Sequence, residues 1–300
     1  MAESFPLWVI ARRSRAASVA LAIGLIMLVV VGGSAQFTAW VPAGYVAFLV
    51  LARRDRWALA AAALIALPVF AGLSVEGQPG LALGTACALV LPGLAGAVIL
   101  RRSGSFNLAV QVLVLAGVLL PVAAYLLLAD PGAIFRPLFE ELGRVMREHG
   151  WAGADQIEGY SAQGWGMVGM ILSANAIVGL IAALYWQSKV SGQPEAGPRF
   201  RELRLGKVLS LLLGVITIAS FFSNSALATS MAYPLIGGLV LQAFAILHWL
   251  RSAWPFGAAW LIFAYASLFM PLMILLWTCV GFIDNWWPLR ERILQLKQRR

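Results

Sequence analysis

Nine apolar runs separated by polar links constrain this chain more than any other feature. They are Ala16–Val31, Phe37–Ala52, Trp57–Leu73, Leu81–Leu100, Phe106–Ala129, Gly164–Trp186, Leu205–Phe222, Ala226–Leu250 and Trp254–Ile283. Backbone in lipid must satisfy its own N–H and C=O groups, so runs of this kind are expected to be helices. A straight crossing takes about 20 residues. Several runs are shorter, so tilts and short helices are expected. Pro42, Pro68, Pro92, Pro121, Pro234 and Pro271 fall inside runs, where each removes a backbone donor. The chain is 61% hydrophobic and only 12% charged, whereas soluble domains carry about 25% charged residues. The expected fold is all-α: a polytopic integral membrane bundle of nine or ten membrane helices with one amphipathic external helix. All 300 residues are read as a single transmembrane domain.

The external helix comes from the one long polar interruption, Ala129–Gln163. There Ile134, Phe135, Leu138, Phe139, Leu142, Val145 and Met146 fall on one face of a 3.6-residue repeat. Arg136, Glu140, Glu141, Arg144, Arg147 and Glu148 take the other face. Glu140 with Arg144, and Arg144 with Glu148, are spaced to pair along it. The insert, about 130–162, reads as a helix on the membrane surface or over the bundle. As a lid it would close a pocket beneath Phe135, Phe139 and Leu142. As a connector it would only pack on its neighbours. Gly150, Gly153 and Gly159 are candidate hinges.

Basic residues set the orientation. Arg12, Arg13 and Arg15 precede the first run, Arg53, Arg54 and Arg56 follow the second, and Arg101 and Arg102 follow the fourth. Lys189, Arg199, Arg201, Arg204 and Lys207 follow the sixth, and Arg251 the eighth. One crossing per run puts them all on one side, the cytoplasmic one, with the N-terminus. The first run is read as a signal anchor. The basic tail, 285–300, breaks this pattern unless the ninth run turns back. That run has 30 residues, about 45 Å as one helix against a core of about 30 Å. Ser267 and Pro271 mark a turning point. Two short helices meeting there place the C-terminus in the cytoplasm, and one long kinked helix is the alternative. Of the 22 basic residues, only Arg136, Arg144 and Arg147 then lie outside.

The net charge of +9 is accounted for by orientation and does not point to nucleic acid. None of the 13 acidic residues lies in the middle of an apolar run, which argues against a proton antiporter of the usual kind. Polar groups inside runs are few. Asn175 and Gln242 are expected to face the bundle, touching either a ligand or a neighbouring helix. His248 and His149 are isolated, and Cys87 and Cys279 lie in apolar runs. No catalytic residue, metal set or cofactor site is assigned. The serine elbow, zinc-protease, P-loop and dinucleotide signatures do not occur.

Several stretches carry a resemblance. They are Trp186-Gln187 with Phe200-Arg201-Glu202-Leu203-Arg204, Leu241–His248, and Gly281-Phe282-Ile283-Asp284-Asn285-Trp286 with Arg290 and Arg292. Arg101-Arg102-Ser103-Gly104-Ser105 is an earlier matching loop. Together they resemble the YybS-like group of bacterial inner-membrane proteins, a domain of unknown function. The likeness implies Trp186, Gln187, Phe200, Glu202, Arg204, His248, Gly281, Asp284, Trp286 and Arg290 as motif positions. Ser191-Gly192-Gln193-Pro194-Glu195 departs from the Asn-Pro-Gly-Gly turn of that group. The group is distantly similar to the substrate-capture subunits of energy-coupling-factor vitamin transporters. Those bind a small molecule and dock on a membrane partner through small residues of their first helix. Ala16, Ala20 and Gly24 recur every fourth residue here, a docking stripe or ordinary packing. The resulting expectation is a small-molecule binding or transport component with membrane lipids and another membrane subunit as partners. The alternative is an assembly protein recruiting a partner through its basic cytoplasmic loops.

Overall fold

The computed structural model describes residues 40–53, 79–191, 196–254, 257–287 and 289–298. Every element among them is helical. They are α1 (Trp40–Arg53), α2 (Pro79–Ser103), α3 (Phe106–Leu127), α4 (Arg136–Glu148) and α5 (Ala154–Ile157), then a 3-10 turn Glu158–Gln163. α6 (Gly164–Ser191), α7 (Ala196–Arg201), α8 (Gly206–Ser223), α9 (Ala226–Ala253), α10 (Ala258–Ser267), α11 (Pro271–Trp286) and α12 (Leu289–Gln298) follow.

Among the described residues, four stretches are long and apolar enough to cross a membrane: Phe106–Leu127, Ala154–Lys189, Gly206–Ser223 and Ala226–Ala253. The bent pair Ala259–Ser267 and Pro271–Trp286 makes a fifth if counted as one span. This is an all-helical chain of membrane type, but the described residues do not support nine or ten spans. The runs Ala16–Val31 and Trp57–Leu73 lie outside the described residues, as do the stripe positions Ala16, Ala20 and Gly24. The helices continue through Pro92, Pro121 and Pro234.

The ninth run breaks where Ser267 and Pro271 stand, and its two arms meet at 113°. Met270 is extended at φ −105°, ψ 117°, as a residue before proline prefers. Pro271 then opens α11, where its missing N–H costs nothing. Trp277 Nε1 donates to Ser267 Oγ at 2.8 Å, tying one arm to the other. Phe244 of α9 stacks on Tyr265 of α10 at 4.5 Å and reaches Trp277 of α11 at 5.7 Å.

The backbone divides into two compact units. One is built from the described parts of Met1–Leu113, Leu172–Leu203 and Ala245–Pro255. Its core centres on Tyr45, Val46, Ile177 and Leu180. Glycines bring its helices together: a Cβ on Gly44 would stand 2.8 Å from the Gly179 carbonyl, and one on Gly93 2.6 Å from that of Ala43. Such small-residue seams are how membrane helices pack closely. Ser173 on α6 donates to the Leu113 carbonyl at 2.9 Å.

The other unit comprises Val114–Ile171, Arg204–Phe244 and the described parts of Phe256–Arg300. Here Gly169 lies against the Gly117 carbonyl and Gly281 against that of Leu239, at 2.3 and 2.1 Å from a notional Cβ. The insert belongs to this unit. α4 begins at Arg136 rather than Ile134, with a proline in its first turn. Phe135 meets Trp165 edge-on at 5.4 Å, and Trp165 Nε1 donates to the Pro131 carbonyl at 2.9 Å.

Candidate functional site

The one buried ion pair among the described residues lies in the second unit, between Asp284 near the end of α11 and Arg290 at the start of α12. Arg290 Nη2 stands 3.2 Å from Asp284 Oδ2, with side-chain exposures of 7% and 0%. Packing explains the position: Gly281, one turn earlier, lies flush against the Leu239 backbone. That contact turns the next residue on the same face, Asp284, toward α9.

Gln242 of α9 completes the cluster. Its Nε2 donates to Asp284 Oδ2 at 3.0 Å, and its Oε1 accepts the Leu205 N–H at 2.8 Å. An N–H can only donate and a carboxylate pair can only accept, so this amide orientation is the one its neighbours permit. The Leu205 and Gly206 N–H groups open α8 and would otherwise be orphaned. Asn285 Oδ1 accepts the second, from Gly206, at 2.8 Å. Gly206 itself has φ +79°, a left-handed conformation that favours glycine. Asp284 Oδ1 is buried with no hydrogen-bond partner among the described residues. The cluster therefore fastens α8, α9, α11 and α12 around a single carboxylate.

Its rim is basic and aromatic. Arg204 pairs with Glu291 at 3.5 Å. Lys207 Nζ lies 5.9 Å from the Trp286 ring centre, and the Arg292 guanidinium lies 4.6 Å from that of Trp287.

The sequence-derived candidates scatter around this centre. Gln242, Asp284 and Arg290 meet in it, Gly281 supports it, and Arg204 and Trp286 stand at its rim. In the first unit, Phe200 and His248 meet edge-on at 5.3 Å, and Trp186 meets Phe48 at 6.2 Å. Asn175 and Gln187 are half-buried there and Glu202 is exposed. Asn285, Lys207 and Arg292 were not selected from the sequence as site residues. Asn285 adjoins Asp284, and Arg292 was quoted in the same motif, so adjacency was the only available signal.

The insert forms the expected amphipathic helix, α4. Phe139 and Gly143 are its buried positions. Gly143 rests on Ile157 and Glu158 of the insert's own return segment. Phe135 is half-buried on Trp165. Ile134, Leu138 and Leu142 remain 59%, 64% and 40% exposed, while Val145 and Met146 are half-buried. On the polar face Arg144 takes Glu141, rather than Glu140, together with Glu148 at 2.9 Å. Arg147 holds Glu158 at 2.9 Å and Asp155 at 3.6 Å. The Arg144 hydrogen bond lowers the Glu141 carboxyl below its ordinary range, and Glu141 in turn raises the Arg144 guanidinium. Elsewhere in this unit, an open cleft of about 300 Å³ is lined by Ala259, Trp260 and Phe263 on α10.

No family model matches the chain, and neither the curated proteins nor the solved structures contain a significant match.

Proposed function

We propose that this chain is a membrane-embedded component that binds or carries a small molecule, acting as the capture part of a larger transporter, and that it belongs to the YybS-like group. The setting is the bacterial inner membrane, with both termini cytoplasmic. The observation that carries the reading is the buried Asp284–Arg290 pair with its Gln242 partner. A buried ion pair is a poor way to gain stability, because well-packed apolar residues of similar volume do as well or better. Charge kept inside an apolar bundle therefore points to a working part. The scarcity of other charge in the apolar segments suits a neutral or weakly polar cargo. The rival reading, an assembly protein, draws on the basic rim, which would hold an acidic partner.

Extraction of the full chain from native membranes into lipid discs tests this. Mass spectrometry would then identify retained small molecules and proteins. A small molecule that is retained by the native chain and lost from Gln242→Leu supports capture. A stable protein partner with no retained small molecule supports assembly.

A further inference from the structure

Beyond whatever the bundle carries, the rim of the buried cluster has the composition of a lipid headgroup site. α8 is a candidate membrane span and begins at Gly206, while the second arm of the bent pair, α11, ends at Trp286. The Gly206–Asn285 hydrogen bond of 2.8 Å ties these two ends together. Lys207, Trp286 and Trp287 therefore stand where two apolar segments stop, the position that interfacial residues take in membrane proteins. Trp286 and Trp287 are half-exposed, as interfacial indoles are. Lys207 and Arg292 are exposed, and each contacts an indole face. Neither is paired with a carboxylate among the described residues. Asp284 is paired with Arg290, and Glu291 with Arg204. Two cations thus remain in excess, each beside an indole of the adjacent pair Trp286 and Trp287.

The geometry points to a binding site for the headgroup of an anionic phospholipid, with Lys207 and Arg292 holding the phosphate and Trp286 and Trp287 packing on the glycerol and upper acyl chain. A lipid fits better than a soluble phosphate because the indoles give the site an apolar floor that a free anion would not use. Such a lipid would sit against the segment that α12 latches through Arg290.

The test is native mass spectrometry of the purified full chain, titrated with phosphatidylglycerol and with phosphatidylcholine. The native chain is expected to retain phosphatidylglycerol preferentially. Lys207→Gln with Arg292→Gln should weaken that lipid roughly 30-fold, from the usual contribution of a basic residue near an anionic surface. Phosphatidylcholine binding should not change. Arg144→Gln on the insert removes a charge elsewhere and should change neither. An unchanged preference in the double variant overturns the site, as does displacement of the lipid by millimolar inorganic phosphate. Should the double variant fold poorly, brominated lipids provide a second readout on the native chain and on Trp286→Phe with Trp287→Phe. Stronger quenching by brominated phosphatidylglycerol that disappears in the tryptophan variant supports the site. Equal quenching by both lipids in the native chain overturns it.

Discussion

The insert and the Asp284 cluster use the same chemistry, an arginine facing a carboxylate, in opposite surroundings. Arg144 and its partners Glu141 and Glu148 are all more than half exposed, with side-chain values of 58%, 57% and 54%. Arg290 and Asp284 are sealed at 7% and 0%. Exposed pairs gain little, because water and salt screen them and long side chains must be held in place. Removing one partner of a buried pair strands the other in a low dielectric. Removing one charge from a pair should therefore cost little in the insert and much in the cluster.

The sharpest way to break this contrast is to cut the buried pair. Asp284→Ala leaves Arg290 enclosed and is expected to cost about 3–5 kcal/mol, read from denaturant unfolding in detergent. Asp284→Leu combined with Arg290→Met should recover most of that loss, since the stranded charge is gone. Glu141→Ala in the insert leaves Arg144 on Glu148, and no shift in the unfolding midpoint is expected. A loss in the insert as large as that at Asp284 would show that burial is not what separates the two regions.

The next effect concerns backbone contact. Gly281→Ala would set a Cβ 2.1 Å from the Leu239 carbonyl, where only backbone movement makes room. Overpacking of this kind costs about 1–3 kcal/mol. Gly159→Ala in the insert meets nothing within 4 Å and should leave thermal unfolding unchanged. Gly150 and Gly153 differ again, with φ of 66° and 87°. A side chain there is strained although the space is open.

These particulars show what was legible in the sequence. The break in the ninth run was legible because Pro271 acts locally, on its own N–H and on the residue before it. The amphipathic insert was legible from periodicity, and its helix starts within two residues of the first apolar position. What covers that helix was not legible, since a repeat identifies a face but not the neighbour that meets it. Gln242 was legible as a bundle-facing amide. Asp284 was placed correctly at the edge of its run, yet edge position along the chain did not reveal enclosure. Enclosure comes from Gly281 seating α11 against α9 and from α12 folding back with Arg290. The described residues hold four candidate spans, or five with the bent pair, so they do not support nine or ten, and the runs Ala16–Val31 and Trp57–Leu73 lie outside them.

A smaller effect is expected where the insert meets the start of α6. Trp165→Phe keeps a ring against Phe135 and removes the donor to the Pro131 carbonyl. The loss should be about 1 kcal/mol, an ordinary hydrogen bond. Hydrogen exchange should show it as faster opening of residues 130–148, with α9 and α11 unaffected. Equal loosening of α11 would mean that the two regions unfold together.

The smallest effect is the pH response of the insert, and its sign separates the regions most cleanly. The Glu141 carboxyl is lowered from 4.5 by its hydrogen bond to Arg144. A carboxyl lowered on folding contributes stability above its unfolded value and loses it as pH falls through the folded one. Arg144 and Arg147 are raised above the ordinary guanidinium range, by Glu141 and Glu158 respectively. Their contribution is present throughout the neutral range and is lost only under strongly alkaline conditions. A spin label at the exposed Leu142 should therefore report constant mobility from neutral to mildly alkaline pH and rising mobility as pH falls below 4.5. Salt should act in the same direction at neutral pH, because the screening length falls to about 3 Å at 1 M. A label on α12 near Arg290 should ignore the salt, since the pair it monitors is closed to solvent. Salt mobilising both labels alike would mean that solvent reaches the Asp284–Arg290 pair, and the distinction between the two regions would fail.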